Sequence, residues 1–282
     1  MKLFNRNLND GSKAEMSFFD HLDVLRGHLF KSAIAVTIGA ILMAIYNKLI
    51  VKNILMGPTH QDFITYRVLS KISLHLGLGN KLSMSPIHVK MQSTEVAGQF
   101  GVYFNIILIG GFILAFPYVF LQFWKFIRPA LTDKELENSR GVIFWVSLLF
   151  FIGVCFGYFV VAPYTINFFS NFSLDDNIEN IWTIASYFNT IVPLILGAGL
   201  AFQLPLVMYF LAKVGVVSAA YLRRVRKYAI LIMLIVTGII TPPDMLSQII
   251  CTVPLVILYE ISILLCVKVE KKQNKENPRE WT

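Results

Sequence analysis

The sequence has little charge, few cysteines and no recognisable catalytic motif. Charged residues make up 15% of its 282 residues, against about 25% in a typical soluble domain. Residues 141–174 and 180–212 contain no charged residue. A helix needs about 20 apolar residues to cross the hydrocarbon core, so such windows predict membrane spans. The composition argues against a soluble enzyme, a nucleic-acid-binding protein and a disordered regulator.

The cysteines and histidines do not form a disulfide framework or a metal site. Cys155, Cys251 and Cys266 lie in apolar stretches and form no C-x-x-C pair. No set of carboxylates or cysteines accompanies the histidines, and the G-x-S-x-G, Walker and H-E-x-x-H patterns are absent. We therefore expect no metal, no cofactor and no enzymatic activity.

Apolar segments dominate what remains, and hydrophobic residues form 56% of the chain. Their spacing predicts an all-α integral membrane protein with six transmembrane helices. The predicted spans are Leu29–Tyr46, Phe100–Phe123, Val142–Ala162, Ile184–Leu211, Tyr228–Ile240 and Leu246–Val267.

The last two spans are short. The uncharged windows there are residues 228–243 and 245–259, and the longer of them makes about 24 Å of helix against a core of about 30 Å. Either the bilayer thins at this hairpin or longer neighbours shelter it. The sequence leaves open whether the short hairpin has a function.

Basic residues predict the orientation. The N-terminal segment through Lys31, the second and fourth connections and the C-terminal tail each carry four or five Lys or Arg, whereas residues 163–183 and 241–245 carry none. By the positive-inside rule both termini lie in the cytoplasm. Acids precede the first apolar run, so we expect no cleavable signal peptide.

Three regions follow from this topology. Residues 1–28 form a cytoplasmic segment with an amphipathic helix, in which Phe18, Leu22, Leu25 and Leu29 recur at helical spacing and Ser17 and Asp20 resemble a capping box. Residues 29–267 form the membrane domain, with a long first periplasmic loop at about 47–99. Residues 268–282 form a basic cytoplasmic tail.

Polar residues inside the spans need a reason, because they are costly in hydrocarbon. Gln203 either lines a cavity and meets a partner helix or makes an interhelical hydrogen bond, and Pro205 is expected to kink its helix. Glu260 is expected to reach the interface or to pair with Lys268 or Lys227. Asp244 and Gln248 lie one turn apart at the outer end of the sixth span, where Asp244 suits a helix N-cap or first turn.

Four motifs together resemble the TatC family, the multispanning core of the twin-arginine protein export system. His21-Leu22-Asp23-Val24-Leu25-Arg26 resembles its H-L-x-E-L-R, and residues 122–131 with Lys134-Glu135 resemble its first cytoplasmic loop. Phe202-Gln203-Leu204-Pro205 resembles its F-E-x-P. The final hairpin is similar at residues 241–244, 247–248, 254–255 and 258–260.

The resemblance implies a receptor for the twin-arginine signal peptides of folded cargo, located in the inner membrane. It implies recruitment of TatA-type single-span subunits, self-association and export driven by proton-motive force, and it leaves a separate TatB-type subunit open. The implied signal-peptide residues are Asp20, Asp23, Arg26, Phe126, Pro129 and Glu135. The implied intramembrane polar or partner contacts are Gln203, Pro205, Asp244, Gln248 and Glu260.

Two positions depart from the family pattern. Val24 occupies the position of the family glutamate in the first motif, and Asp20, one helical turn earlier, or less favourably Asp23, is expected to supply the missing charge. Gln203 replaces the glutamate of the fourth span, which removes a titratable group.

Two other classes of membrane protein fit the sequence less well. A secondary transporter of a small solute predicts inverted repeats and a midplane ion site, and the sequence shows neither. An intramembrane enzyme predicts a catalytic constellation, which is absent from the sequence.

Overall fold

The computed structural model describes residues 18–75, 90–128, 141–175, 180–213, 217–240 and 245–276. Long helices dominate these ranges. In chain order they are α1 (Phe18–Ile45), α2 (Asn47–Ile50), α3 (Ile64–His75), α4 (Gly98–Ile127), α5 (Val142–Phe156), α6 (Ala162–Asn171), α7 (Ile184–Ala201), α8 (Leu204–Lys213), α9 (Ala219–Ile240) and α10 (Met245–Glu276).

Shorter elements complete the connections. Val51–Leu55 and Gly57–Thr59 are single π and 3₁₀ turns, and the π turn Gly157–Val161 joins α5 to α6. Strand β1 (Lys90–Gln92) pairs in parallel with β2 (Ile181–Thr183), with Lys90 opposite Ile181. The first predicted loop is therefore partly structured and is tied to the third connection.

Within the described ranges, five helices are long and apolar enough to cross a membrane: Leu22–Ile45, Gly98–Ile127, Val142–Asn171, Ile184–Ala212 and Gln248–Lys271. The fifth predicted span lies in α9, whose first turns carry Arg223, Arg224, Arg226 and Lys227. The uncharged run that follows them is residues 228–240, and every 18-residue stretch of α9 contains all four cations, which keeps α9 out of the set.

The helix of the N-terminal segment runs on into the first span, as the sequence predicts, and the two form α1. Several other predicted boundaries were wrong. The third span continues past Ala162 to Asn171, and α9 begins at Ala219 rather than Tyr228. Apolar runs mark where a helix crosses hydrocarbon, but polar residues extend the same helix into the interface. The fourth span is two helices, α7 and α8, separated at Phe202-Gln203.

Successive spans run antiparallel, which gives the bundle two ends. α5 pairs with α7 through Gly153 near Gly199, and α9 pairs with α10 through Leu222 near Tyr259. The basic face is the end at which α4 and α8 finish and α9 begins, and its exposed cations include Lys125, Arg128, Arg223, Arg224 and Lys268. The loop face is the opposite end, formed by residues 46–75, 90–97, 172–175 and 180–183.

The core lies between the long helices, and their outer sides remain apolar. Val146, Phe150 and Leu194 are almost fully buried. Large side chains such as Phe30, Ile45 and Leu264 are more than 60% exposed along the outside of the bundle. Such a surface suits contact with lipid acyl chains.

Candidate functional site

Close packing of α1 on α4 sets the geometry of the first candidate site. A Cβ atom on Gly39 would lie 2.5 Å from the carbonyl oxygen of Gly111, so the two backbones touch as small residues allow in membranes. His28 lies eleven residues before Gly39, and Gln122 lies eleven residues after Gly111. The Nδ1–H of His28 donates to Oε1 of Gln122 at 2.8 Å. These two contacts establish an antiparallel register over most of α1.

The same register brings the N-terminal motif to the end of α4. One turn beyond the His28–Gln122 bond, Val24 and Phe126 come level at the basic face, and both are half-buried. Asp23 and Arg26 are exposed on α1, whereas Asp20 lies in its first turn, where the helix dipole favours an acid. The motif therefore displays charge beside the segment that leads towards Glu135.

Three predicted site residues, Pro129, Glu135 and Asp244, lie outside the described residues. So does Ser17, the predicted partner of Asp20 in a capping box. On α1, the predicted apolar face leaves Leu22 43% and Leu29 60% exposed. At these two positions that face is not covered by the described part of this chain.

The break between α7 and α8 forms the second candidate site. Pro205 has no N–H to continue the helical ladder, and the backbone N–H of Gln203 bonds three residues back to Leu200 at 3.0 Å. The chain thus turns at Phe202-Gln203 before α8 begins. The position of the predicted kink at Pro205 coincides with this local break in the α-helical ladder.

The Gln203 side chain is only partly satisfied at this break. Its Nε2 donates to the carbonyl oxygen of Val146 at 3.4 Å, a long bond, and its Oε1 is buried without a hydrogen-bond partner. An orphaned buried acceptor costs roughly 1–3 kcal/mol. Gln203 therefore makes the predicted interhelical hydrogen bond, and its contact with a partner helix stays a prediction.

A third polar group joins α9 to α10. Nε2 of Gln248 donates to the carbonyl oxygen of Leu234 at 3.0 Å, and the hydroxyl groups of Thr237 and Thr252 lie 2.9 Å apart in the interior. The Thr252 hydroxyl also donates to the carbonyl oxygen of Gln248 at 2.7 Å. Gln248 is therefore part of the packing of the final hairpin.

Glu260 is paired, but not as expected. Its two carboxylate oxygens accept from Nε and Nη2 of Arg226 at 2.8 and 2.9 Å, whereas the Lys227 ammonium lies 5.0 Å from the Tyr228 ring centroid. The predicted pairing with Lys227 or Lys268 was wrong. Arg226 lies on the neighbouring helix and offers a planar fork that matches a carboxylate.

Sequence reasoning missed His28, Gln122, Thr237, Thr252 and Arg226. His28 and Gln122 are 94 positions apart, and no local pattern couples them before the helix pairing is known. Thr237 and Thr252 have short side chains whose hydroxyls also donate to carbonyls of their own helices. Threonines of this kind are common in membrane spans, so the sequence does not mark these two.

The loop face holds a half-open cavity of about 240 Å³ between α6, β2 and α7. Thr165, Asn180, Trp182 and Thr190 contribute to its wall, and the Thr165 hydroxyl is buried without a partner. None of the predicted site residues lines this cavity. In the described ranges, no group of three or more His, Cys, Asp or Glu side chains is arranged to hold a metal ion.

Comparison with known proteins gives one consistent match. The family model described as "Sec-independent protein translocase protein (TatC)" matches residues 20–254. A protein of that name from Blattabacterium sp. subsp. Periplaneta americana is 40% identical over 262 residues, covering 93% of this chain and 98% of the relative. TatCy of Bacillus subtilis is 34% identical over 203 residues, covering 68% and 80%.

Two solved structures share the fold. "Crystal Structure of Twin Arginine Translocase Receptor- TatC" superposes with a TM-score of 0.65 at 29% identity, covering 89% of this chain and 99% of that one. The structure of the same receptor in DDM gives a TM-score of 0.68 at 29% identity, covering 87% and 98%. The predicted fold class, an all-α membrane protein with six spans, is confirmed.

Proposed function

This chain belongs to the TatC family of Sec-independent protein translocase proteins, and from that membership we propose that it is the receptor for twin-arginine signal peptides. The resemblance read from its motifs is confirmed, and the chain is a multi-pass membrane component of protein translocation.

The register of α1 on α4 is the observation that carries this proposal. It brings the N-terminal motif level with Phe126, at the end of the helix that leads into the segment containing Glu135. Arginine forms bidentate charge-assisted bonds with carboxylates, and lysine does so less well. Acids of the N-terminal motif at this end of the bundle suit an arginine of the signal peptide.

The acids at the basic face differ in their availability. Glu260 already holds Arg226 with both oxygens, and Oε1 of Glu270 accepts the backbone N–H of Ala219 at 2.6 Å, at the start of α9. Asp23 is exposed. We assign Asp20 or Asp23 to the charge that Val24 lacks, and Glu135 to the second acid.

Gln203 suits recruitment of a partner helix rather than proton transfer. A glutamine does not titrate, so a proton relay through this position is not part of the proposal. Its unpartnered Oε1 would accept a donor from a TatA-type span, with Pro205 holding the break open. Proton-motive force, inner-membrane location, cytoplasmic termini and self-association complete the proposed role.

The assignment of the missing charge is tested by export of a twin-arginine reporter. Asp20→Asn and Asp23→Asn are made separately, with Asp62→Asn, an exposed acid of the loop face, as the matched control. We expect one of the two variants to lower export several-fold and the control to retain it. Full export by both variants would contradict the replacement of the family glutamate by either residue.

A further inference from the structure

Helix α3 presents an apolar stripe outward, away from the protein. Ile64, Val68 and Ile72 recur every fourth residue and are 49%, 47% and 44% exposed. Arg67 and Lys71, each one residue before a stripe position, are also exposed. We call these five side chains the α3 outer face. Apolar residues bordered by cations on one side of a helix are typical of helices that lie in a membrane interface.

The opposite side of α3 is anchored, so this exposure is a property of the fold. Tyr66 is 8% exposed, and its hydroxyl donates to the carbonyl oxygen of Pro58 at 2.8 Å. Burial raises the pKa of the Tyr66 phenol, which keeps it a neutral donor. Just before α3, Phe63 stacks on Phe159, with ring centroids 5.9 Å apart. The helix cannot rotate its stripe inward without breaking these contacts.

The anchor lies about one membrane thickness along the third span from its start. The Tyr66 hydroxyl also lies 3.4 Å from the carbonyl oxygen of Pro163, on the third span. That span begins at Val142, and Pro163 is roughly 31 Å further along it at 1.5 Å per residue. This distance matches the thickness of the hydrocarbon core, about 30 Å.

The charge of this region favours an anionic surface. Residues 47–75 contain Lys48, Lys52, Arg67 and Lys71 but a single acid, Asp62. Within α3 itself no acid occurs. A cation near an anionic bilayer contributes about 1 kcal/mol, and the apolar stripe adds burial in the acyl boundary.

We propose that α3 is an interfacial helix whose outer face docks on anionic phospholipid headgroups of the leaflet at the loop face. The stripe enters the acyl boundary while Arg67 and Lys71 bind lipid phosphates. The docked helix would brace the loop end of the third span through Tyr66 and Phe63. This role goes beyond signal-peptide reception and does not depend on it.

A nitroxide at position 68 tests the depth of the helix. Val68→Cys is labelled in a Cys155→Ser background, because Cys251 and Cys266 are buried, and the full chain is reconstituted in nanodiscs containing phosphatidylglycerol. His60→Cys, exposed just before α3, is the matched control. We expect collisions with oxygen to be several-fold favoured over those with a water-soluble nickel chelate at position 68, but not at position 60.

The contribution of the two cations Arg67 and Lys71 is tested with the same nitroxide at position 68. Arg67→Gln with Lys71→Gln should raise nickel accessibility at position 68, as should replacing phosphatidylglycerol by phosphatidylcholine. Arg223→Gln with Arg224→Gln, an equal charge change at the basic face, should not. High nickel accessibility in the unaltered background would overturn the proposal, and so would spin–spin broadening showing that a second copy covers α3. No signal peptide is present, so these results are independent of receptor activity.

Discussion

Individual side chains connect the segments on which the proposed receptor depends. The His28–Gln122 hydrogen bond joins α1 to α4 one turn from Val24 and Phe126, and Gln122 is 3% exposed. Removing one partner of a buried hydrogen bond lowers stability by more than the bond itself contributes, because the remaining polar group stays desolvated. The pair therefore stabilises the position of the N-terminal acids.

Removing the amide should destabilise the protein and impair export. We expect Gln122→Ala to lower the free energy of unfolding by about 1–3 kcal/mol and to reduce export, whereas Gln122→Glu, which keeps an acceptor for His28, restores much of both. Thermal unfolding in detergent and the reporter assay measure the two effects. Gln99→Ala, at an exposed position of the same helix, is the control, and equal stability of the two alanine variants would contradict this role.

Sequence reasoning found the residues whose chemistry is conspicuous and missed their partners. Gln203 stands out as an amide in an apolar span, and Pro205 as a helix breaker, and both lie at the break. Glu260 also stands out, but the nearest lysines in the sequence are not its partner. The pairing with Arg226 depends on how α9 meets α10, and tertiary packing decides that.

Two glycines of α4 show how closely the helix pair α1 and α4 approaches along its length. A Cβ atom on Gly111 would lie 2.6 Å from the backbone nitrogen of Ala40, whereas one on Gly101, in the same helix, would meet nothing within 4 Å. These positions form a matched pair for the same substitution.

Gly111→Ala should separate α1 from α4, and Gly101→Ala should not. Overpacking typically costs about 1–3 kcal/mol, while an open helical glycine gains about 0.5–1 kcal/mol from alanine. Thermal unfolding of both variants measures this difference, and a cysteine crosslink between positions 28 and 122 reports the register. Retention of the crosslink and of stability in Gly111→Ala would show that the close approach is dispensable.

The break between α7 and α8 should be necessary for activity but not for stability. In Pro205→Ala the new N–H can bond the carbonyl of Ala201, so the helix can continue. We expect unchanged or higher stability, slower amide exchange over residues 200–207 and reduced export. Pro193→Ala, at an exposed position inside the unbroken α7, should leave exchange at the break unaltered. Normal export with a repaired helix would show that the break has no role.

The sequence predicted the position of helices that meet lipid along one face, and it predicted other elements less well. Charge-free windows located the spans, but the charges in α9 hid its length and apolar periodicity did not reveal the split of the fourth span. The β1–β2 pairing joins residues about 90 positions apart in two loops. No hydrophobic period marks such a contact, since it depends on the bundle bringing both loops together.

At the scale of the whole molecule, charge separates the two faces. Exposed cations of the described residues are concentrated on the basic face, and by the positive-inside rule such a distribution favours a cytoplasmic position for that face. The proposed binding site is a small acidic feature within this cationic surface. Recognition of a cationic peptide there requires local carboxylates, because the surrounding field repels it.

Photocrosslinking from position 126 tests the receptor role most directly. Phe126 is replaced by benzoylphenylalanine, which preserves an aromatic side chain beside the N-terminal motif, and the protein is mixed with signal peptides bearing Arg-Arg or Lys-Lys. We expect strong capture of the Arg-Arg peptide, weak capture of the Lys-Lys peptide, and loss of this preference when Glu135 is changed to Gln. Equal capture of the two peptides by the unaltered site would contradict twin-arginine recognition.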